Sequence, residues 1–307
     1  MIPVGITARN EAKNILALLA SLRVSTARAE KACGLRFELH VLLNDNEDDT
    51  VSLLAGQPDL TIWHTHGGIV EAQRALVEAR PEAPWILFTD ADILIHPDTV
   101  TELSRAMAEY PAVEIAYAEK YPLPPRRRGL LAMALYYFNL REGYQTKRLY
   151  CNGQCFAIRR WDIPKPAELQ WDPAADNPFL HLAAGVRCDD IFLSLGRAPE
   201  ALLCTPSGIQ YRPPETLQGM FRKYQRMRLE LERMAYFFPR KRPRGRRLDG
   251  TLLRQAPWRE QVLYSIFQAA LMLCKAAYLA QRVYYSRWAK TPCPTWRPVV
   301  ETKEPLA

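Results

Sequence analysis

Trp85-Ile86-Leu87-Phe88-Thr89-Asp90-Ala91-Asp92 runs four consecutive large apolar residues into two carboxylates spaced i, i+2, and a third, Asp98, follows just after Pro97. An apolar run without alternation describes a strand buried on both faces, as in a parallel sheet. Alternate residues of a strand point the same way, so at its end Asp90 and Asp92 can grip one divalent cation, with the small Ala91 between them. Open α/β sheets take their ligands at this carboxyl edge. Taken alone, Asp-x-Asp reads first as an ordinary solvated turn, because short acidic motifs are common by accident, and Pro97 is expected to keep the strand from continuing. The rest of the chain decides between the two readings.

With 307 residues, 48% hydrophobic and 24% charged, the chain can bury a large core, and one big domain with an appendage is expected. Its opening, Met1-Ile2-Pro3-Val4-Gly5-Ile6, enters an apolar run with no basic n-region and no small-residue cleavage site, which points to a cytoplasmic location. The seven cysteines are scattered. Cys151 and Cys155 lack a second pair or histidines at zinc spacing, and read as buried thiols in a reducing compartment. His64, His66 and His181 also lack ligand spacing and are assigned no role. The formal net charge is +8, and residues 222–247 hold eleven Lys or Arg against Glu230 and Glu232, a net of +9 in one segment.

Outward from the central stretch the chain alternates. Strands are expected at residues 4–7, 35–43 and 61–64. Between them lie a helix at 12–29, carrying Ile15, Leu18, Leu19 and Leu22 at helical spacing, and a short helix after the polar run Asn44-Asp45-Asn46-Glu47-Asp48-Asp49-Thr50. Gly67-Gly68 marks a turn, and a helix at 69–79 leads back to Trp85. Beyond Asp92 come a helix at 98–109, a strand at 114–119, and a loop marked by Pro122, Pro124 and Pro125 before Arg126-Arg127-Arg128. A helix follows at 130–144 with Met133, Tyr136, Tyr137 and Leu140 on one side. A glycine-started strand lies within 152–160, and an irregular loop ends at Cys188-Asp189-Asp190. This order predicts an α/β fold, a Rossmann-like and mostly parallel sheet with helices on both faces, plus a helical C-terminal extension.

Residues 1–215 are expected to form the catalytic domain and 216–307 a basic, helical region. Within the latter, Gln261, Gln268, Lys275 and Arg282 fall seven apart in an otherwise apolar helix at 260–285, a narrow polar stripe on a wide apolar surface. Its longest uninterrupted apolar run, 269–274, is far below the roughly 20 residues of a bilayer crossing. Beside the polybasic run Arg240-Lys241-Arg242-Pro243-Arg244-Gly245-Arg246-Arg247 it suits the surface of an anionic membrane. Packing on the catalytic domain or in an oligomer is the alternative.

Read in order, Asn10-Glu11 after the first strand, the acidic turn after the second, Thr89-Asp90-Ala91-Asp92, Gly153 with Ala157-Ile158-Arg159-Arg160, and Asp189-Asp190-Ile191-Phe192-Leu193 resemble the family-two glycosyltransferases. Gln225-Arg226-Met227-Arg228-Leu229 is similar to the Gln-x-x-Arg-Trp element of their membrane-associated synthases. The resemblance spans about residues 2–229. It implies the glycosyltransferase A-type fold and inverting transfer from a nucleotide diphosphate-sugar, UDP- or GDP-linked, aided by Mg2+ or Mn2+. It further implies a cation at Asp90 and Asp92, a base at Asp190 beside Asp189, and donor contacts at Ala8, Arg9, Glu11, Asn44, Asp45, Arg74, Asp90, Gln225 and Arg228. A lipid-linked or polysaccharide acceptor follows by the same resemblance, with peripheral contact on the inner membrane face. The chain departs from the family at Thr7-Ala8-Arg9, where Pro-x-Tyr is usual, and at Leu43-Asn44-Asp45, where paired aspartates stand near the uracil. Leu229 takes the place of the tryptophan that serves processive synthases.

The chemistry of the residues runs parallel to the resemblance. A cation on the aspartate pair would neutralise a departing diphosphate. Like charge and an apolar surround can tune a carboxylate at 189–190 for proton transfer, and acids there also suit a helix N-terminus. Arg226 and Arg228 present guanidinium groups suited to phosphate, or form part of a solvated basic face. A nucleotidyltransferase forming sugar nucleotides shares the sheet and the metal acids, but Ala8-Arg9-Asn10-Glu11 is not its glycine-rich loop. A non-catalytic nucleotide or nucleic-acid binder would use the basic segment, yet it shows no reading motif, and carboxylates at the sheet edge repel a polyanion, so no nucleic-acid partner is expected.

Overall fold

The computed structural model describes residues 1–140, 151–169, 177, 179–238, 254–291, 303, 305 and 306. In chain order the first half comprises β1 (Ile2–Ala8), α1 (Ile15–Cys33), β2 (Phe37–Asn44), α2 (Thr50–Ala55), β3 (Leu60–Thr65), α3 (Ile69–Ala79), β4 (Ile86–Asp90), β5 (Ile93–Ile95), α4 (Thr99–Glu109), β6 (Ile115–Pro122) and α5 (Leu130–Leu140). The second half adds β7 (Cys155–Ile158), α6 (Asp189–Leu195), β8 (Leu202–Tyr211), α7 (Leu217–Phe237) and α8 (Trp258–Val283). The expected helix at 130–144 is described to Leu140; its remainder, the loop at 170–176 and the polybasic run at 240–247 lie outside the described residues.

One eight-stranded sheet has the order β3-β2-β1-β4-β7-β6-β8-β5. The half from β3 to β4 is parallel, as the strand and helix alternation predicts. Beyond it the sheet is mixed, since β7 runs antiparallel to both β4 and β6, and β5 antiparallel to β8. The central stretch breaks for only two residues after Asp90 before β5 resumes it. Neither β5 nor β8 is expected from the sequence: β5 is three residues long, and β8 includes Pro206 and Gly208, residues that weaken a strand signal.

The central strand shows its two-sided burial in detail. Leu87 packs into a core with Val4, Ile6, Ile15, Leu18, Leu22, Val100 and Leu103, between the sheet and α1 and α4. Ile86 and Phe88 face the other way, onto Leu76 of α3, Ile191 and Leu193 of α6 and Met234 of α7. Burying each such side chain contributes about 1.5–3 kcal/mol. Gly5 of β1 makes the second core possible, because a Cβ there would meet the Phe88 ring at 2.7 Å and Leu76 at 2.9 Å. The period of two carries Asp90 onto the face of Ile86 and Phe88, the side of α3 and α6.

The C-terminal helices pack on this body. Met227, Leu231 and Met234 of α7 join the second core, and Phe267, Ala270 and Cys274 of α8 pack with Ala134, Leu135 and Met220. The opposite side of α8 leaves Trp258, Val262, Met272, Leu273, Leu279 and Val283 exposed. Packing and an open apolar face, the alternatives posed by its sequence, therefore occur on two sides of one helix.

Candidate active site

Loops from the carboxyl ends of β1, β2 and β4 meet above the parallel half of the sheet. The first two are laced together: the Asn10 amide donates to Asn46 Oδ1 (2.7 Å), the Glu47 amide to Asn10 Oδ1 (2.8 Å) and the Glu11 amide to Thr50 Oγ1 (2.8 Å). Asn10 takes a left-handed φ of 57° there, which asparagine tolerates well. β4 delivers Asp90, whose Oδ1 accepts from Thr7 Oγ1 at 3.1 Å, and whose amide donates to the Gln154 carbonyl at 2.9 Å.

A second pair of acids arrives with α6, from the far side of the chain. Asp189 is buried and its Oδ2 accepts from Gln73 Nε2 of α3 at 2.8 Å. Asp190 turns toward Gly153: Oδ2 accepts from the Gly153 amide at 3.3 Å, and Oδ1 from the Ile191 amide at 2.8 Å. Glycine is required at 153 by this approach, because a Cβ would lie 2.9 Å from Asp190 Cβ and 3.2 Å from its Oδ2.

The acids feel one another. Burial pushes the Asp90 carboxyl well above the usual range, the charges of Asp92 and Asp189 add to the rise, and Thr7 and Arg226 oppose it. Burial raises Asp92 to about 6 against the pull of Arg226. Asp189 is raised to about 7 by burial and by the charge of Asp190, with Gln73 opposing. Shifts of this kind mark places where a fold accepts electrostatic cost, and they concentrate at functional sites. Lys303 reaches the same place. Its ammonium contacts Glu11 and lies 3.9 Å from Asp92 Oδ2, and burial together with the nearby charge of Arg9 lowers it to about 8.

The donor set suits a hard cation. Asp90 and Asp92 offer carboxylate oxygens, the ligands that Mg2+ and Mn2+ prefer, and the Lys303 ammonium against Asp92 shows that positive charge is accommodated there. Among the described residues no three His, Cys, Asp or Glu side chains converge as a complete metal-binding group, so phosphate and water oxygens would supply the remaining ligands, as is usual for Mg2+.

The other residues named from sequence are distributed as follows. Ala8 ends β1 and Arg9 follows it, exposed. Asn44 Oδ1 accepts from the Gly68 amide at 2.9 Å, and Asp45 pairs with His66 at 2.6 Å. Arg74 is buried, donating to Glu71 and to the Ile163 and Pro164 carbonyls. On α7, Gln225 bonds Gln281 of α8 and Arg228 pairs with Glu232 at 3.6 Å, whereas Arg226 acts on Asp90 and Asp92. Asp98 pairs with Arg28 at 2.7 Å, apart from the acid pair. Thr7, Gln73 and Lys303 were not expected from the sequence. Thr7 adjoins a recognised motif, but Gln73 sits in an unremarkable amphipathic helix, and no sequence pattern around Lys303 marks it out from other lysines.

An α/β sheet gathering two pairs of acids and an arginine at its carboxyl edge is the architecture of a nucleotide-sugar transferase of the A type. The chain belongs to glycosyl transferase family 2, whose sequence model matches residues 4–163. No curated protein matches it in sequence. Solved structures similar to it include a mannosyltransferase, PcManGT from Pyrobaculum calidifontis, in complex with GDP-Man and Mn2+; the identity is 18% over 94% of this chain and 87% of that one, at a TM-score of 0.49. Glucosyl-3-phosphoglycerate synthase from Mycobacterium tuberculosis, in complex with phosphoglyceric acid, is 18% identical over 76% of this chain and 79% of its own, with a TM-score of 0.47. TarS 1-349 from S. aureus is 14% identical over 98% and 89%, with a TM-score of 0.42.

Proposed function

We propose that this chain is a metal-dependent, inverting glycosyltransferase that moves a sugar from a UDP- or GDP-linked donor to a hydroxyl of a lipid-linked or cell-envelope glycan. The reading is carried by one observation: acids from the end of β4 and from the start of α6, about a hundred residues apart in the chain, are tied to adjacent residues of one segment, the Asp90 amide to the Gln154 carbonyl and the Asp190 carboxylate to the Gly153 amide. Asp90 and Asp92 would hold the cation, whose charge offsets that of the leaving diphosphate. Arg226, which already acts on both acids, adds fixed positive charge at the same place. Asp190 accepts the proton of the acceptor hydroxyl at Oδ2, which among the described residues takes one long hydrogen bond, from the Gly153 amide. The hydroxyl oxygen then bonds the anomeric carbon as the bond from that carbon to the diphosphate oxygen breaks, and the electron pair leaves on the diphosphate. A single displacement inverts the centre. Incubation with UDP- and GDP-sugars and Mn2+, scored for nucleoside diphosphate release and, by product NMR, for inverted configuration, tests the reading; retained configuration refutes it.

The open side of α8 supports an acceptor drawn from a membrane surface. Trp258–Ala289 passes by length and composition as a membrane-crossing helix, but its inner side is taken up by protein packing. Residues 254–290 carry Arg254, Arg259, Lys275, Arg282, Arg287 and Lys290 against Glu260 alone. A helix lying in the interface, apolar toward the acyl chains and cationic toward the headgroups, fits both facts, each basic residue adding about 1 kcal/mol near an anionic surface. The protein is expected to sediment with phosphatidylglycerol vesicles at low salt and to be only partly released at high salt. Met272→Glu with Leu273→Glu, both exposed, should abolish sedimentation and spare nucleotide binding. Failure of the intact protein to sediment at low salt would make a soluble acceptor the better reading.

A further inference from the structure

We propose that Cys188 is a positioning residue of this site: its thiol holds the Asp190 carboxylate so that Oδ2 is the oxygen presented to the acceptor hydroxyl. The inference rests on the reading of Asp190 as the base. Cys188 stands at the N-cap of α6, where a polar side chain ordinarily serves the first free amides of the helix. Its side chain makes no such cap. It points instead at the carboxylate two residues on, with Sγ 2.9 Å from Asp190 Oδ1. The thiol is the donor of that contact, because burial, followed by the charges of Asp190, Glu230 and Asp189, raises its pKa well above the ordinary thiol range and keeps it protonated.

The surroundings leave the carboxylate one way to face. Its main chain is fixed first: the Asp190 carbonyl accepts from Ser194 Oγ at 2.6 Å and from Cys151 Sγ at 3.6 Å, and Ser194 Oγ in turn accepts from the Cys151 amide at 2.8 Å. Among the described residues Oδ1 takes two donors, the Ile191 amide and the Cys188 thiol, whereas Oδ2 takes the Gly153 amide at 3.3 Å. Rotating the carboxylate would break both Oδ1 bonds. The Ile191 amide is fixed in the backbone of α6, and the thiol adds a second donor to the same oxygen, so Oδ1 is held twice. Cys188 thereby fixes which oxygen receives the proton without touching donor or acceptor. A base held in one rotamer retains the advantage of orientation, which small displacements forfeit.

The test uses the full chain, Mn2+ and a UDP- or GDP-sugar turned over by the wild type, with released nucleoside diphosphate as readout and water in place of an unidentified acceptor. Cys188→Ala and the bulkier Cys188→Val, which both lack the donor, are expected to lower kcat about 5- to 10-fold, the scale of one ordinary hydrogen bond, as suits a weak thiol donor. The donor KM should stay within about twofold. Cys188→Ser restores a donor and should return kcat to within about twofold of wild type. Three results overturn the proposal: Ala or Val variants as active as wild type, a Ser variant as impaired as Ala, or a donor KM that moves in step with kcat. Asp190→Asn, run alongside, separates the two readings. If it keeps wild-type turnover, the assignment of the base has failed; if it is inactive while Cys188→Ala is unimpaired, only the role of Cys188 has.

Discussion

Asp190→Asn is expected to lower turnover by roughly 100-fold or more while leaving donor binding nearly intact, the scale of a general-base contribution. Asparagine keeps the shape and can still accept from the Ile191 amide through its carbonyl oxygen, so α6 and its packing are retained. What is lost is a group able to take a proton. The substitution therefore separates the base from the alternative role of an acid at a helix N-terminus, worth about 0.3–1 kcal/mol of stability. A variant with a lowered melting temperature and ordinary turnover would assign Asp190 to capping alone. Steady-state kinetics with calorimetric donor titration distinguishes the outcomes.

Asp92→Ala should abolish cation-dependent binding of a nucleoside diphosphate. Calorimetry with UDP and GDP, each with Mn2+ or Mg2+, is the measurement, and undiminished affinity in excess chelator would sink the assignment of the acid pair. The raised acids give the experiment a pH dependence whose sign can be worked out. Asp92, raised to about 6, is largely neutral at pH 5 and ionised by pH 7.5, so protons compete with the cation and affinity should rise across that interval. Stability without metal moves the other way. A carboxyl whose folded pKa is raised binds more protons folded than unfolded, so its stabilising effect is complete below the unfolded value, near 4, and is lost as pH rises through the folded value. With Asp92 at about 6 and Asp189 at about 7, the metal-free protein should lose stability between roughly pH 4 and 7. The gain in melting temperature on adding Mn2+ should accordingly be larger at pH 7.5 than at pH 5.

The parallel half of the sheet was readable because each of its elements carries a local signature. The helix expected at 69–79 is observed as Ile69–Ala79, and α1 buries the Ile15, Leu18, Leu19 and Leu22 set that its periodicity names. The mixed half was not, because an antiparallel partner such as β7 leaves the same apolar signal as a parallel one, and direction is set by the path of the connecting chain. At the site, motifs exposed the acids, since carboxylates at a strand end are conspicuous. Their supports stayed hidden. Gln73 matters because α3 brings it to Asp189, and Arg226 rather than Arg228 acts on Asp90 and Asp92 because of the rotation of α7, a side-chain direction that spacing alone does not fix.

β5 has consequences for how the protein comes into being. This three-residue strand follows directly on Asp92, and its strand pairing in the sheet is with β8, through Ile93 with Tyr211, Leu94 with Gln210 and Ile95 with Ile209. On the ribosome the acidic turn is synthesised long before that partner exists. At roughly 5–20 residues per second the delay is on the order of ten seconds, during which the turn has its upstream strand and the bond from the Ile95 amide to Ser21 of α1, but not the strand pairing of β5. The nascent chain should therefore acquire its parallel half early and its cation site late, once Leu202–Tyr211 has emerged and docked between β6 and β5. A chain stalled before that point should hold α1 and the first sheet strands in place yet fail to bind manganese with a nucleoside diphosphate.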